Sequence, residues 1–240
     1  LLNLTEAQYQ AYLTQKQAAE KRAAEIRARI FELIGVAKAP TFGEAVTIAK
    51  GVEALTGIRP AFLLAILTQE SNIGKNVGQC YITDTKSGYS VSINTGERFS
   101  NGIHPYRDLP LFLNITKEVG RDPLKTPISC PIPGIAGYGG AMGPAQFLPS
   151  TWMLYKDKIA SLKGGKTPDP WDIKDAFLAA AVYLTDAGAA KRTYNSEWCA
   201  AIAYFAGSCS SRNQKLYRFY ANSVMAIADR YEQDIKTIGE

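Results

Sequence analysis

The sequence predicts a mainly α domain with a small β excursion, preceded by a long N-terminal helix. Three observations carry this. Apolar residues recur at helical spacing in most segments of the chain. Only Asn76 to Phe99 changes character, toward short strand-like runs around a polar turn. The opening 34 residues are rich in Ala, Glu, Lys, Arg and Gln.

That opening stretch accepts a heptad. Leu2, Tyr9, Ala23 and Ile30 form one row and Tyr12, Ala19, Ile26 and Leu33 the other, with Lys16 and Thr5 interrupting them. Two readings are open, a truncated coiled-coil tail or an amphipathic helix docked on the domain. The coiled coil is preferred, with residues 1–36 as a separate tail dispensable for chemistry. Ala37 to Pro40 read as a linker.

Thr41-Phe42-Gly43-Glu44 has the capping-box pattern, and a helix is expected through Val46, Ile48, Ala49, Val52 and Leu55. Thr56-Gly57 ends it. Pro60, suited to a first helical position, opens the run Ala61 to Ser71, and Gly74 lies just past its end. Cys80 to Thr83 and Tyr89 to Ile93 are expected to pair as a hairpin around Asp84 to Gly88. Asp108 to Val119 returns to helical spacing. A loop dense in Pro and Gly follows, from Arg121 to Gly143, where glycines let the backbone approach a ligand or simply turn. Further helices are expected from Ser150 or Thr151, over Asp172 to Ala187, over Glu197 to Ala206, and over Gln214 to Tyr231.

Composition narrows the function. At 240 residues the chain can bury a substantial core, and 46% hydrophobic with 20% charged residues is ordinary globular material. No apolar run is long enough to cross a membrane, and no signal-peptide pattern occurs; a mature chain would look the same. A net charge of +5 suits an anionic polymer, but the basic residues are scattered, so no nucleic-acid partner is expected. Four cysteines without CxxC spacing, and a single histidine, His104, argue against zinc and for disulfides in an oxidising compartment. His104 reads as a loop or capping residue. Trp152, Trp171 and Trp198 read as core rather than sugar platforms.

The most informative stretch is the apolar run ending in Glu70. On a helix Glu70 follows Leu63, Ile66 and Leu67 on the same face. A carboxyl against an apolar face, beside the negative end of a helix dipole, has its pKa raised. That is what a general acid near neutral pH needs. The competing reading is a Glu bent out to solvent at a frayed helix end.

Three separated pieces then line up: Glu70-Ser71, the segment Gly140-Ala141-Met142-Gly143-Pro144-Ala145-Gln146-Phe147-Leu148-Pro149-Ser150-Thr151-Trp152, and Ala203-Tyr204-Phe205-Ala206-Gly207. Together they resemble the catalytic domain of peptidoglycan lytic transglycosylases, especially the membrane-bound B type and its relatives. The resemblance covers roughly residues 41–235. It implies a lysozyme-like α domain with a long glycan groove. Glu70 would be the catalytic acid and then base, with Tyr204 supporting it. Ser71, Gln146, Gly143, Met142 and Phe147 would line the substrate site. Phe205 departs from the family's Asn. Lys163-Gly164-Gly165-Lys166 lacks the spaced Asp ligands of the calcium loop found in some members, so neither calcium nor any cofactor is expected.

Ordinary glycosidases pair two carboxylates across the bond. No second acid stands out here, since Asp84, Asp108, Asp169, Asp172 and Glu97 all fall in turns, loops or helix starts. In the family the 6-hydroxyl of N-acetylmuramic acid attacks its own anomeric carbon and leaves a 1,6-anhydro end. The expected substrate is therefore the peptidoglycan glycan strand, met outside the cytoplasm, with the N-terminal region leading to a coiled-coil partner or membrane anchor. The rivals are a goose-type lysozyme hydrolase and a non-catalytic wall-binding module. A Cys80–Cys130 bridge would tie two groove walls. Cys199 and Cys209 would be about 15 Å apart on one straight helix, and can pair only if the chain doubles back at Ala206-Gly207.

Overall fold

The computed structural model describes residues 8–18, 39–132 and 137–239. Among these, residues 8–18 form helix α1. It is followed by α2 (Phe42–Thr56), α3 (Pro60–Ser71), β1 (Cys80–Ile82), β2 (Ser90–Ser92), β3 (Arg98–Phe99), α4 (Leu109–Glu118), α5 (Pro149–Leu162), α6 (Ile173–Asp186), α7 (Tyr194–Ala206) and α8 (Ser211–Gly239). Short 3-10 turns lie at Pro123–Lys125 and Ala189–Lys191. None of the described helices is long and apolar enough by itself to cross a membrane.

Helix α3 is the centre. Every side chain from Ala61 to Leu67 is buried. An unbroken apolar run has no polar face to offer water, so the remaining helices must surround it. Helices α2, α6 and α8 do so. Phe62, Leu63, Leu64, Ile66 and Leu67 are fully enclosed, each contributing roughly 1.5–3 kcal/mol of apolar burial. Its N-terminus is anchored by Arg59, which donates from Nε and Nη2 to the two carboxylate oxygens of Glu197 on α7, both at 2.7 Å, and from Nη1 to Glu232 on α8 at 3.1 Å. Glu197 is almost fully buried, and the two-pronged guanidinium contact compensates for its desolvation.

Local signals set the helix ends. The Thr41 hydroxyl accepts from Glu44 N while Glu44 returns a bond to Thr41 N, a complete capping box. Asp172 accepts from Lys174 N and Asp175 N at the start of α6. Gly57 and Gly207 take the left-handed conformation that terminates α2 and α7.

The β excursion is a three-stranded antiparallel sheet in the order β1-β2-β3, with Cys80 opposite Ser92 and Ser90 opposite Phe99. The expected hairpin is therefore present, with β3 added. Isolated bridges carry the pairing onward from Cys80 to Ile128, from Ile128 to Met142, and from Met142 to Phe147. The Gly-rich segment is thus stitched to the sheet rather than left as a free loop.

Both disulfides form. Cys80–Cys130 joins β1 to the stretch before the Gly-rich segment, with Cα atoms 5.0 Å apart. Cys199–Cys209 closes with Cα atoms 5.4 Å apart, because α7 stops at Ala206 and the chain reverses through Gly207 before α8. Replacing Cys80 and Cys130 together by Ser is expected to lower unfolding free energy by about 2–4 kcal/mol, since the bridge closes a long loop in the unfolded chain. Urea melts of the oxidised proteins measure this, and coincident curves would contradict it.

The N-terminal expectation needs correction. Tyr9 is 2% exposed and belongs to the core cluster, with its ring 4.1 Å from that of Phe219 on α8. Tyr12 and Leu13 pack on the same cluster. Within residues 8–18 the apolar seam is thus covered by the domain itself, and a coiled-coil partner is not needed to bury it. The packed unit begins at least as early as Tyr9, not at 41. The rest of the expected helix, residues 1–7 and 19–34, lies outside the described residues.

Candidate active site

Glu70 sits at the last turn of α3, where the backbone changes hand abruptly. Asn72, Ile73 and Gly74 all have positive φ, at 51°, 53° and 79°. Such a run is unfavourable for a β-branched residue like Ile73, and strained backbone of this kind clusters at functional sites. The turn is held by Asn72 N donating to Thr68 O, Ile73 N to Leu67 O, and Gly74 N to the Ser71 hydroxyl. It also brings Gly74 against the Gly-rich segment. A Cβ on Gly74 would lie 3.5 Å from Pro144.

The third piece is delivered by α7, where the Tyr204 hydroxyl donates to Ala145 O at 2.7 Å. The three motifs, far apart in sequence, therefore converge around the end of α3. Tyr204 does so by holding the Gly-rich backbone; its hydroxyl is not bonded to Glu70. The hydroxyl on Glu70 belongs to Tyr220 of α8, which donates to Oε1 at 2.5 Å. Sequence reasoning missed Tyr220, because nothing in the local pattern of α8 sets it apart from Tyr217 or Tyr231. Phe205, at the position of the family's Asn, stacks on Tyr220 with ring centroids 4.6 Å apart. The departure from the family pattern thus packs against the residue that contacts Glu70.

The other expected substrate residues divide. Ser71 is fully buried, accepts from Gly74 N and donates to Leu67 O, so its hydroxyl caps the helix end. Met142 and Phe147 are likewise buried. Phe147 packs against Tyr183 and Tyr204 with centroids 5.8 and 5.7 Å away. These two shape the segment from below. Gly143 is enclosed as well, packed on the backbone of Pro170. Gln146 is partly exposed, with φ of 53°, and its amide donates to Gly143 O at 2.7 Å. Of the three tryptophans expected in the core only Trp152 is fully buried; Trp171 and Trp198 are half-buried at its edge. Trp152 is buried, Trp171 donates to Pro127 O, and Trp198 donates to Asn222. His104 caps a turn, accepting from Arg107 N at 3.1 Å.

The electrostatics of Glu70 are opposed. Burial raises its pKa, while the charge of Lys16 on α1 and the Tyr220 hydrogen bond pull it down. Burial and the nearby carboxylate push the phenols of Tyr204 and Tyr220 well above their ordinary value, so Tyr220 stays a donor. Four of the other acids weighed in the sequence have structural partners. Asp84 accepts from Lys86 N, Ser87 N and the Ser87 hydroxyl, which lowers it to about 2. Asp108 accepts from Ser150 N and Arg107, Asp169 from Arg121, and Asp172 caps α6. Among the described residues no group of three or more His, Cys, Asp or Glu could hold a metal ion.

The sequence model of the transglycosylase SLT domain matches residues 5–215. The chain belongs to this family. The match takes in α1, Glu70, the Gly-rich segment and Tyr204 alike. Among solved structures the SLT domain is similar to the soluble lytic transglycosylase SltB1 from Pseudomonas aeruginosa, at 21% identity and TM-score 0.43, covering 70% of this chain and 47% of that one. It is also similar to the Escherichia coli lytic transglycosylase Slt35 in complex with bulgecin A, at 19% identity and TM-score 0.41, covering 74% and 48%. A second Slt35 structure, in complex with calcium, aligns at 19% identity and TM-score 0.41, covering 74% and 49%. The chain thus spans about half the length of these solved proteins. No curated protein matches it.

Proposed function

We propose that this SLT domain is a peptidoglycan lytic transglycosylase working outside the cytoplasm, with Glu70 as its single acid and base. The observation that carries the reading is the setting of Glu70: a half-buried carboxyl at a strained helix end, hydrogen-bonded by Tyr220, on a turn whose Gly74 lies against Pro144 of the Gly-rich segment. Desolvation favours the protonated form, which donates to the glycosidic oxygen between N-acetylmuramic acid and N-acetylglucosamine. The Tyr220 hydroxyl and Lys16 then stabilise the carboxylate that remains. That carboxylate takes the proton from the 6-hydroxyl of the muramic residue as it attacks the anomeric carbon, with the N-acetyl group assisting. Intramolecular attack needs no bound water and lowers the entropic part of the barrier. Asp84, Asp108, Asp169 and Asp172 each serve a turn, a cap or an ion pair, and Glu97 is exposed beside β3, which supports a one-carboxylate route. Partly exposed Gln146 is the residue of the Gly-rich segment best placed to meet the sugar. The two disulfides fit an oxidising compartment.

Mass spectrometry of soluble fragments released from purified peptidoglycan tests this. Muramic ends are expected in the 1,6-anhydro form, lighter than a reducing end by one water. Reducing ends would instead make the protein a hydrolase, and intact glycan would leave a wall-binding module.

A further inference from the structure

Helix α1 was expected to be remote from chemistry, yet it meets α3 at the residue before Glu70. The Tyr9 hydroxyl accepts from Gln69 Nε2 at 2.9 Å, and Gln69 Oε1 accepts from the Ser223 hydroxyl of α8 at 3.1 Å. Gln69 is thereby clamped between α1 and α8. Two turns along α1 from Tyr9, on the same face, Lys16 donates from Nζ to the Gln69 carbonyl. Among the described residues, four groups act on or are acted on by Glu70 from the elements packed around it. These are Tyr9 and Lys16 from α1, Tyr204 from α7 and Tyr220 from α8. Lys16 is the only cation among them. Tyr9, Tyr204 and Tyr220 are phenols raised by burial, and none of them can balance a carboxylate charge.

We propose that α1 is a wall of the active site and that Lys16 is a positioning residue for Glu70. It ties down the last turn of α3 through the Gln69 carbonyl and sets a positive charge beside the carboxylate. This rests on the reading of Glu70 as acid and base. The carbonyl of Gln69 is one of the acceptors that a helix leaves unpaired at its C-terminus, and a lysine there also favours the dipole. Those two effects alone would make Lys16 a cap. The added consequence is chemical: Glu70 must release a proton and later recover it. A cation beside it stabilises the intervening carboxylate, so the group is a stronger acid in the first step than burial alone would leave it.

The test is a carboxyl-carbon NMR titration of Glu70 in the wild-type protein, Lys16→Met and Lys16→Arg, with the resonance assigned by its loss in Glu70→Gln. In Lys16→Met the midpoint is expected to move to higher pH, because the interaction favouring the charged form is gone. Lys16→Arg should stay close to wild type. Since the protonated form starts the reaction, the alkaline limb of kcat/KM on peptidoglycan should move upward with the midpoint. An unchanged midpoint in Lys16→Met overturns the proposal, and a drop in melting temperature without a midpoint shift reduces Lys16 to a cap and overturns it equally. The titration uses no substrate, so its outcome is separate from the product chemistry proposed above.

Discussion

Glu70→Gln is expected to abolish glycan cleavage while leaving the fold and glycan binding in place. Glutamine keeps the size of the side chain and can still accept from Tyr220 at the position of Oε1. It has no proton to give and cannot act as a base. Acid–base assistance by a positioned side chain contributes about 10²–10⁴-fold. With one group serving both steps, the loss should reach or exceed the upper end. Release of soluble fragments from peptidoglycan measures activity, and pull-down with insoluble peptidoglycan measures binding. Near wild-type turnover in this variant would remove Glu70 from the mechanism altogether.

The second large effect is expected from a glycine. Gly143→Ala would place a Cβ 1.9 Å from the carbonyl oxygen of Pro170 and 2.7 Å from its carbon, at a φ of 61°. Both contacts are with backbone, so neither can rotate away. A left-handed alanine costs roughly 1–2 kcal/mol. The clash adds to this and should bring the total to about 4–5 kcal/mol or more. Gly164 separates the two contributions, because its φ is 70° but nothing lies within 4 Å of the added Cβ. For a domain of this size 1 kcal/mol shifts the melting temperature by about 2–4 °C. Gly164→Ala should therefore lose only a few degrees, and Gly143→Ala more than about 10 °C or the ability to fold. Matching melting curves for the two variants would show that the Pro170 contact is not rigid.

The comparison of these two glycines marks where reading a sequence stops. A dense Gly-rich segment announces that backbone must turn or approach something closely, and Gly143 and Gly164 look alike in that respect. Only the folded chain shows that one abuts Pro170 and the other faces open space. The helices themselves were legible. The capping box at Thr41, Pro60 at the start of α3, Asp172 before α6 and Gly207 after α7 all act through hydrogen bonds or dihedrals within a few residues, and they form where the pattern placed them. Glu70 was legible for the same reason, as a carboxylate at helical spacing on an apolar face.

Its partners were not. Tyr220 lies 150 residues away on a helix with several tyrosines, and the capping bond that Ser71 accepts from Gly74 N depends on the left-handed turn after α3. Lys16 left one trace, a charged residue in the same heptad row as Tyr9, which read as a defect in a coiled coil. By itself the sequence determined the helices, the small sheet, the family and the one carboxylate around which the chemistry is proposed, because those depend on short-range periodicity and on motifs that survive as strings. The tertiary structure decided which hydroxyl bonds that carboxylate, which lysine bonds the neighbouring Gln69 carbonyl, and that α1 packs on the core. Contacts between distant segments are set by how helices pack around α3, and that packing leaves no local signature in any one of them.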